Sequence, residues 1–469
     1  MIVRRERERW ATPRIARAEE NVAAKIRTIL DNESPLEEVN INTEGFARDQ
    51  IEATELFKKS RLFILTGPPG TGKTYMLARL VEAMRGQLIE MCAPTGKAAK
   101  QISMSMEKTT GHKARTIHSL LCPQMNEETL EFEFIHGPKN PLPVDFLVID
   151  EMSMVDIRLA ESLFMALDNK TRILIVGDQY QLPSVGPGSV LRDMLAANVP
   201  NYELSEIKRN QGLIVKACHS IKNGIRPTPC TGRLDLEQGF NWRHVQSEST
   251  NEIMEIVKNL YTYAIPALEI ADMQTVVLTI SPMNERGDLS CEKMNKAIQE
   301  ILKRDRVAVA GLEFSVGDKI VRLKNGLVTG QTIEKGVDDD PDECENQKVR
   351  IVNGDVGIVE AIEGNKIQIR FSNPERVVWL PKSDHNVKLA YCMTCHKMQG
   401  SEAKIVIMPM HKEFTYSPIM TNEWVYTAFS RAKIALITVG QFETIRSAMR
   451  KTGNDKRKTL LQRMIDRGE

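Results

Sequence analysis

The chain has 469 residues, of which 42% are hydrophobic and 5% aromatic, enough to fill the cores of about two to four domains. Lys and Arg number 63 against 62 Asp and Glu, a formal charge of +1, so a polyanion-binding site must be a local basic surface and not a whole-chain field. No apolar run approaches membrane-spanning length, the start MIVRRERERW is too charged for a signal peptide, and eight scattered cysteines fit no disulfide framework; a cytoplasmic protein with no membrane partner is expected.

In chain order, residues 1–45 read as a helical extension followed by a linker. Ile15, Val22, Ile26, Ile29 and Leu30 recur at helical spacing, and Asp31 to Glu44 carries Pro35. Such a helix either packs on the main body or binds a partner. The first core begins near Phe46. Gln50 lies on a predicted helix, where an amide can read adenine through one donor and one acceptor, or simply face solvent.

Leu62 to Leu65 is a short apolar run suited to a buried parallel strand. GPPGTGKT follows, with Gly67, Gly72, Lys73 and Thr74 at the spacing G-x-x-x-x-G-K-T, and Pro68, Gly70 and Thr71 inside the turn. Backbone N–H groups in such a turn converge on phosphate oxygens, and the following helix presents its positive N-terminal end. Lys73 is placed for the β- and γ-phosphates and Thr74 for Mg²⁺, so ATP and Mg²⁺ are the expected cofactors.

A second strand ends in Pro94-Thr95-Gly96-Lys97, and Thr116-Ile117-His118 opens a further segment. Hydroxyls and a lysine at strand ends can grip a sugar–phosphate backbone; threonines there also cap helices. From Gln124 to Pro143, Leu130, Phe132 and Phe134 alternate with Glu131 and Glu133 before a Gly137-Pro138 turn, which predicts a small hairpin. Its aromatics either stack on bases or wedge a duplex, or pack on the body.

Phe146 to Ile149 predicts another buried strand, ending in Asp150-Glu151; Asp150 suits a metal and Glu151 the orientation of an attacking water. Ile173 to Val176 leads into GDQYQLPSVGPG, where Gln181 is placed to sense a γ-phosphate. Ligands of open α/β sheets gather at the carboxyl ends of the strands, so three strands ending in GKT, DE and GDxxQ point jointly to nucleotide hydrolysis. Arg209 reads as a charge clamp or as a solvated helix end.

A second αβ core is expected from Thr275–Ser281, Lys404–Pro409 and Ala435–Gly440, without a second P-loop. Between its strands, residues 311–385 shift to β-branched runs with turn signals at Asn353-Gly354 and Glu363-Gly364, which predicts an inserted β-barrel; Asp338 to Glu345 reads as an acidic loop within it. Cys392 and Cys395 form one isolated CxxC, read as buried thiols and not as a zinc site. Thr394, His396 and Lys397 offer donors near a strand end, and Arg431 follows an apolar helical run. The basic tail, with Arg450, Lys451, Lys456, Arg457 and Lys458, predicts a helix that is solvated or DNA-facing.

Over about residues 46–440 the order GPPGTGKT, APTGKAA, TIH, IDEMSMVD, GDQYQLPSVGPG, NGDVGIV, HKMQGSE and YTAFSRA resembles superfamily 1 DNA helicases of the RecD/Dda-like group. The resemblance implies an α/β fold of two RecA-like P-loop NTPase domains with parallel sheets, a β-hairpin insertion in the first and an SH3-like β-barrel insertion in the second. On this reading residues 1–45 are the extension and 46–210 domain 1A, with its hairpin 1B at about 121–143. Domain 2A takes 211–310 and 386–469, and domain 2B takes 311–385.

The resemblance further implies ATP-driven 5′-to-3′ movement on single-stranded DNA and unwinding at single–double strand junctions, with replication or recombination proteins as partners. Gln50 would contact adenine; Gly67, Pro68, Gly70, Thr71, Gly72, Lys73, Thr74, Gly400 and Glu402 would hold nucleotide; Thr74 and Asp150 would hold the metal. Lys73, Glu151, Gln181, Arg209 and Arg431 would be catalytic, and Thr95, Gly96, Lys97, Thr116, His118, Phe132, Phe134, Thr394, His396 and Lys397 would meet DNA. Two other readings remain: an RNA-directed helicase of the same superfamily, and a nucleotide-gated mediator that binds DNA without unwinding.

Overall fold

The structure is a computed structural model that describes residues 3–5, 9–125, 132–206, 212–266, 276–302, 313–332, 348–372, 375–453 and 457–467. The chain divides into two units, Met1–Gln211 with Thr452–Glu469, and Gly212–Lys451.

The first unit is built on apolar runs that become parallel strands: β1 (Leu62–Thr66), β2 (Ile89–Ala93), β3 (Ala114–Thr116), β4 (Phe146–Ile149), β5 (Arg172–Gly177) and β6 (Asn201–Glu203). They form one sheet in the order β6-β1-β5-β4-β2-β3, every pair parallel. In β1, β4 and β5 every residue is buried, as a parallel sheet covered on both faces requires. Successive side chains alternate between two cores. Leu62, Ile64, Leu147, Ile149, Ile173 and Ile175 point into one, while Phe63, Leu65, Phe146, Val148, Leu174 and Val176 point into the other.

Helices cover both faces. The second core is closed by α2 (Arg48–Lys58), α3 (Lys73–Ala83) and α4 (Gly96–Thr110). The first is closed by α1 (Pro13–Leu30), α5 (Ile157–Met165) and α6 (Val190–Ala196). So α1 is part of the unit's body: its Val22, Ile26 and Ile29 are fully buried, and only Leu30, 36% exposed, lies off that stripe. Thr12 starts the helix by accepting from the Ile15 N–H, with Pro13 in the first turn.

The tail departs from expectation. Residues 386–469 do not stay together, because the chain from Thr452 onward groups with the first unit. The C-terminal helix Leu461–Arg467 buries Leu461 and Ile465 in the cluster that holds α1. Apolar side chains of this size contribute roughly 1.5–3 kcal/mol each when fully buried, enough to fix where a short helix docks.

Pro123–Met125 pairs antiparallel with Phe132–Phe134, Pro123 opposite Phe134. The residues between them, Leu130 and Glu131 included, lie outside the described residues.

The second unit carries a five-stranded parallel sheet in the order Trp242–Gln246, Ala432–Gly440, Ala403–Met410, Val277–Ile280, Cys392–Met393. The edge strands at Trp242 and Cys392 were not legible as apolar runs. A separate antiparallel sheet of seven strands runs from Lys319–Arg322 to Val387–Leu389, so its last strand lies past the expected boundary at 385. It has its own core, including Phe314, Ile351, Ile369, Phe371 and Leu380. The acidic stretch Asp338 to Glu345 lies outside the described residues.

Candidate nucleotide-binding site

Three neighbouring strands of the first unit, β1, β5 and β4, deliver the P-loop, Asp178-Gln181 and Asp150-Glu151 to one edge of the sheet. Between β1 and α3 the backbone turns through left-handed conformations at Gly70 (φ 87°) and Gly72 (φ 81°), which only glycine adopts without strain. Gly67 is needed for space: a Cβ there would lie 2.8 Å from the carbonyl oxygen of Leu204.

Lys73 begins α3. Its ammonium donates to the carbonyl oxygens of Gly67 at 2.5 Å and Pro68 at 3.1 Å, inside the loop it serves. Thr74, one residue on, is exposed at the helix start. Thr71 is buried, and its hydroxyl donates to the Pro68 carbonyl at 2.9 Å.

Gln50 is fully buried, and both ends of its amide are used. The Nε2 group donates to the Thr71 and Gly72 carbonyls at 3.2 and 3.4 Å, and Oε1 accepts from the Ala47 N–H at 3.0 Å. In this arrangement Gln50 braces the P-loop and caps its own helix, α2. That is a different use of the amide from the adenine contact implied by resemblance.

Asp150 follows β4. Burial, then the neighbouring Glu151 charge, pushes its carboxyl up to about 7; its bond from the Glu151 N–H at 2.7 Å and the Lys73 ammonium oppose that shift. Glu151 sits in the left-handed region at φ 52°, ψ 39°, an uncommon place for a residue with a Cβ. A strained glutamate beside a carboxylate whose charge is costly is what a cation-dependent site would hold in readiness. After β5, Asp178 is buried and accepts from the Tyr180 N–H at 3.0 Å, and the Gln181 N–H donates to the Asp178 carbonyl. The donor set suits a magnesium–triphosphate: glycine-rich N–H groups, an ammonium, an exposed hydroxyl and an under-compensated carboxylate.

The other sequence candidates of this unit sit differently. Thr95 and Thr116 each cap a helix, accepting from the N–H of Ala98 at 3.2 Å and of Ser119 at 3.1 Å. Gly96 and Lys97 form the first turn of α4. His118 is exposed and its ring lies 5.9 Å from that of Phe134, which packs partly on the core beneath it. Phe132 lies on the same strand as Phe134; its side chain, and the whole of Arg209, are outside the described residues.

In the second unit Thr394 precedes a short 3₁₀ turn, Cys395–Met398, which carries half-buried His396 and exposed Lys397. Cys392 and Cys395 are buried, and burial pushes both thiols up, Cys395 to about 12. Gly400 is left-handed at φ 69°, and Glu402 pairs with Lys433 at 2.5 Å. Arg431 is only 4% exposed; it donates to the carbonyls of Thr427 at 3.3 Å and Ser401 at 3.0 Å.

Arg457, read in sequence as part of a solvated or DNA-facing tail helix, instead bonds to the backbone of the loop after Gln181. No local pattern marks it, because its partners lie about 270 residues away.

These features define a P-loop nucleotide-binding protein with two parallel-sheet units. Residues 45–234 match the AAA domain and residues 389–439 the UvrD-like helicase C-terminal domain. The chain is 29% identical over 470 residues to the ATP-dependent RecD2 DNA helicase of Deinococcus radiodurans, a match covering 96% of this chain and 58% of that protein. It is 28% identical over 447 residues to the RecBCD enzyme subunit RecD of Mycolicibacterium smegmatis, covering 88% of this chain and 75% of the relative. A crystal structure of Pif1 helicase from Bacteroides with ADP-AlF3 and single-stranded DNA covers 84% of the chain and 92% of its own, at 18% identity and a TM-score of 0.46. By these domain and relative matches the chain is similar to the RecD-like helicases of superfamily 1. It spans just under three fifths, 58%, of the RecD2 protein's length.

Proposed function

We propose that the chain hydrolyses ATP to move 5′ to 3′ along single-stranded DNA and to unwind duplex at junctions. The observation that carries this is the meeting of Lys73, Asp150-Glu151 and Asp178-Gln181 at three adjacent strand ends, in a chain similar over 96% of its length to a RecD2 helicase.

Lys73 would exchange the Gly67 and Pro68 carbonyls for phosphate oxygens, and Thr74 with Asp150 would hold magnesium, which supplies charge neutralisation on the phosphates. Glu151 would orient the water and accept its proton. Gln181 would report the state of the γ-phosphate. Arg209 and Arg431 are proposed to stabilise developing charge, with Arg431 giving up its Thr427 and Ser401 carbonyls to do so. Gly400 and Glu402 are assigned to nucleotide, and Glu402 would then leave Lys433.

The two parallel-sheet units are assigned as the RecA-like domains 1A and 2A. The Pro123–Phe134 pairing is assigned as hairpin 1B, and the seven-stranded sheet as the SH3-like domain 2B. Thr95, Gly96, Lys97, Thr116, His118, Phe132, Phe134, Thr394, His396 and Lys397 are assigned to the DNA strand. The helix-capping bonds of Thr95 and Thr116 fix the first turns of their helices, whose positive N-terminal ends favour phosphate.

Hydrolysis and strand separation with 5′-tailed and 3′-tailed DNA duplexes, and with RNA duplexes, test the reading. Unwinding of the 5′-tailed DNA alone is expected. Activity confined to the 3′ tail would refute the polarity, and hydrolysis without unwinding of any substrate would favour a mediator. Lys73→Ala is expected to lower hydrolysis about 100-fold or more.

A further inference from the structure

Arg457 stands at the start of the last described segment, far in sequence from everything its guanidinium touches. Its Nη1 donates to the Ser184 hydroxyl at 3.2 Å, the Gly186 carbonyl at 2.9 Å and the Gly188 carbonyl at 2.7 Å, and its Nη2 to the Ser184 carbonyl. The backbone that carries it is fixed from two other elements. Arg192 on α6 donates to the Arg457 carbonyl at 3.1 Å, and Glu19 on α1 accepts from the Leu460 N–H at 3.3 Å. A rigid, planar group with five N–H donors holds carbonyls spread along a loop in a fixed geometry that a flexible lysine with three donors does not reproduce.

The loop it gathers links the Gln181 strand end to the start of α5. It begins three residues after Gln181. Its Pro187 carbonyl accepts from the Ile157 N–H at 2.9 Å, at the start of α5 and downstream of Glu151. The fit there is close: a Cβ on Gly186 would lie 2.0 Å from Asp156 Oδ2, and one on Gly188 (φ +101°) 2.9 Å from Ile157 Cβ. The loop therefore has little freedom to shift without moving the Asp156–Ile157 corner as well. The tail is anchored independently by Leu460, Leu461 and Ile465, so Arg457 is not what docks it.

We infer that Arg457 is a positioning residue for hydrolysis: by holding the Ser184–Gly188 carbonyls it fixes the segment that follows Gln181 and, through the Asp156 corner, the segment that follows Glu151. This rests on the ATPase reading above.

The test compares wild type, Arg457→Ala, Arg457→Lys and Leu461→Ala, each as the 469-residue chain. It reads steady-state ATP hydrolysis with saturating oligo-dT and amide hydrogen exchange over residues 178–188. Arg457→Ala is expected to lower kcat about 10-fold or more, as a misplaced group does. Its KM for ATP should stay at the wild-type value, since the P-loop is untouched, and residues 182–188 should exchange faster. Arg457→Lys should not restore kcat. Leu461→Ala should lower Tm and leave kcat unchanged, because it loosens the tail without removing the guanidinium. Wild-type kcat in Arg457→Ala, whatever the exchange shows, overturns the inference, as does an equal loss of kcat in Leu461→Ala. A wild-type chain that hydrolyses no ATP overturns the proposed function itself, and this role with it; unchanged exchange in Arg457→Ala shows that the arginine does not hold the loop.

Discussion

Glu151 is held at φ 52°, ψ 39°, which costs on the order of 1–3 kcal/mol for a residue with a Cβ. Asn tolerates this region better than Glu. Glu151→Asn is therefore expected to raise Tm while reducing hydrolysis, whereas Glu151→Gln should keep wild-type stability and lose about 100-fold or more in kcat. Parallel melting curves and turnover assays would show it; a Gln variant with wild-type turnover would remove Glu151 from the chemistry. Asp150 makes a second prediction. Its carboxyl is pushed up to about 7 in the folded chain, chiefly by burial, above the unfolded value. The unfolded chain therefore loses that proton first. The charge destabilises the fold progressively as pH rises from about 4 to about 7, and by a constant amount beyond. Asp150→Asn should be more stable than wild type at pH 8 in metal-free buffer, with the gap closing toward pH 4. Urea melts across that range would check it, and a gap that widens on acidification would contradict the assignment.

At the scale of elements, the P-loop was legible because its chemistry is local: glycines where φ is positive, a lysine and a threonine at the helix start. So were β1, β4 and β5, since strands buried on both faces must be apolar throughout. The role of α1 was not, because an amphipathic stripe states that a helix has a dry face and not what covers it. Ile26→Ala should cost about 2–5 kcal/mol in the stability of the first unit, as deletion of a fully buried side chain does, and denaturation in urea would measure it. Had α1 been an appendage, the loss would be near zero. The hairpin's two readings divide at Phe134, which packs partly on the core and lies beside His118. Phe134→Ala is expected to lower stability by about 1–2 kcal/mol and to impair unwinding more than translocation. Equal loss of both activities would leave it a packing residue only.

For the whole molecule, a formal charge of +1 means that nucleic-acid binding must come from local contacts. The proposed contacts to phosphates and stacked bases predict affinity that falls steeply with salt and varies little with sequence. Titrations of mixed-sequence and homopolymer oligonucleotides at two salt concentrations would reveal either departure.

By itself the sequence determined the chemistry that is local in the chain: the phosphate loop, the acid pair, the GDxxQ strand end and the two αβ cores, each written in adjacent residues by backbone geometry or by burial. The tertiary structure decided which distant segments complete those pieces. It put the tail in the first unit, turned the Gln50 amide onto the P-loop carbonyls and brought Arg457 to the loop after Gln181. Those outcomes depend on which apolar face and which unpaired carbonyls are left to be covered once the sheet has formed, and no short stretch of sequence encodes that remainder.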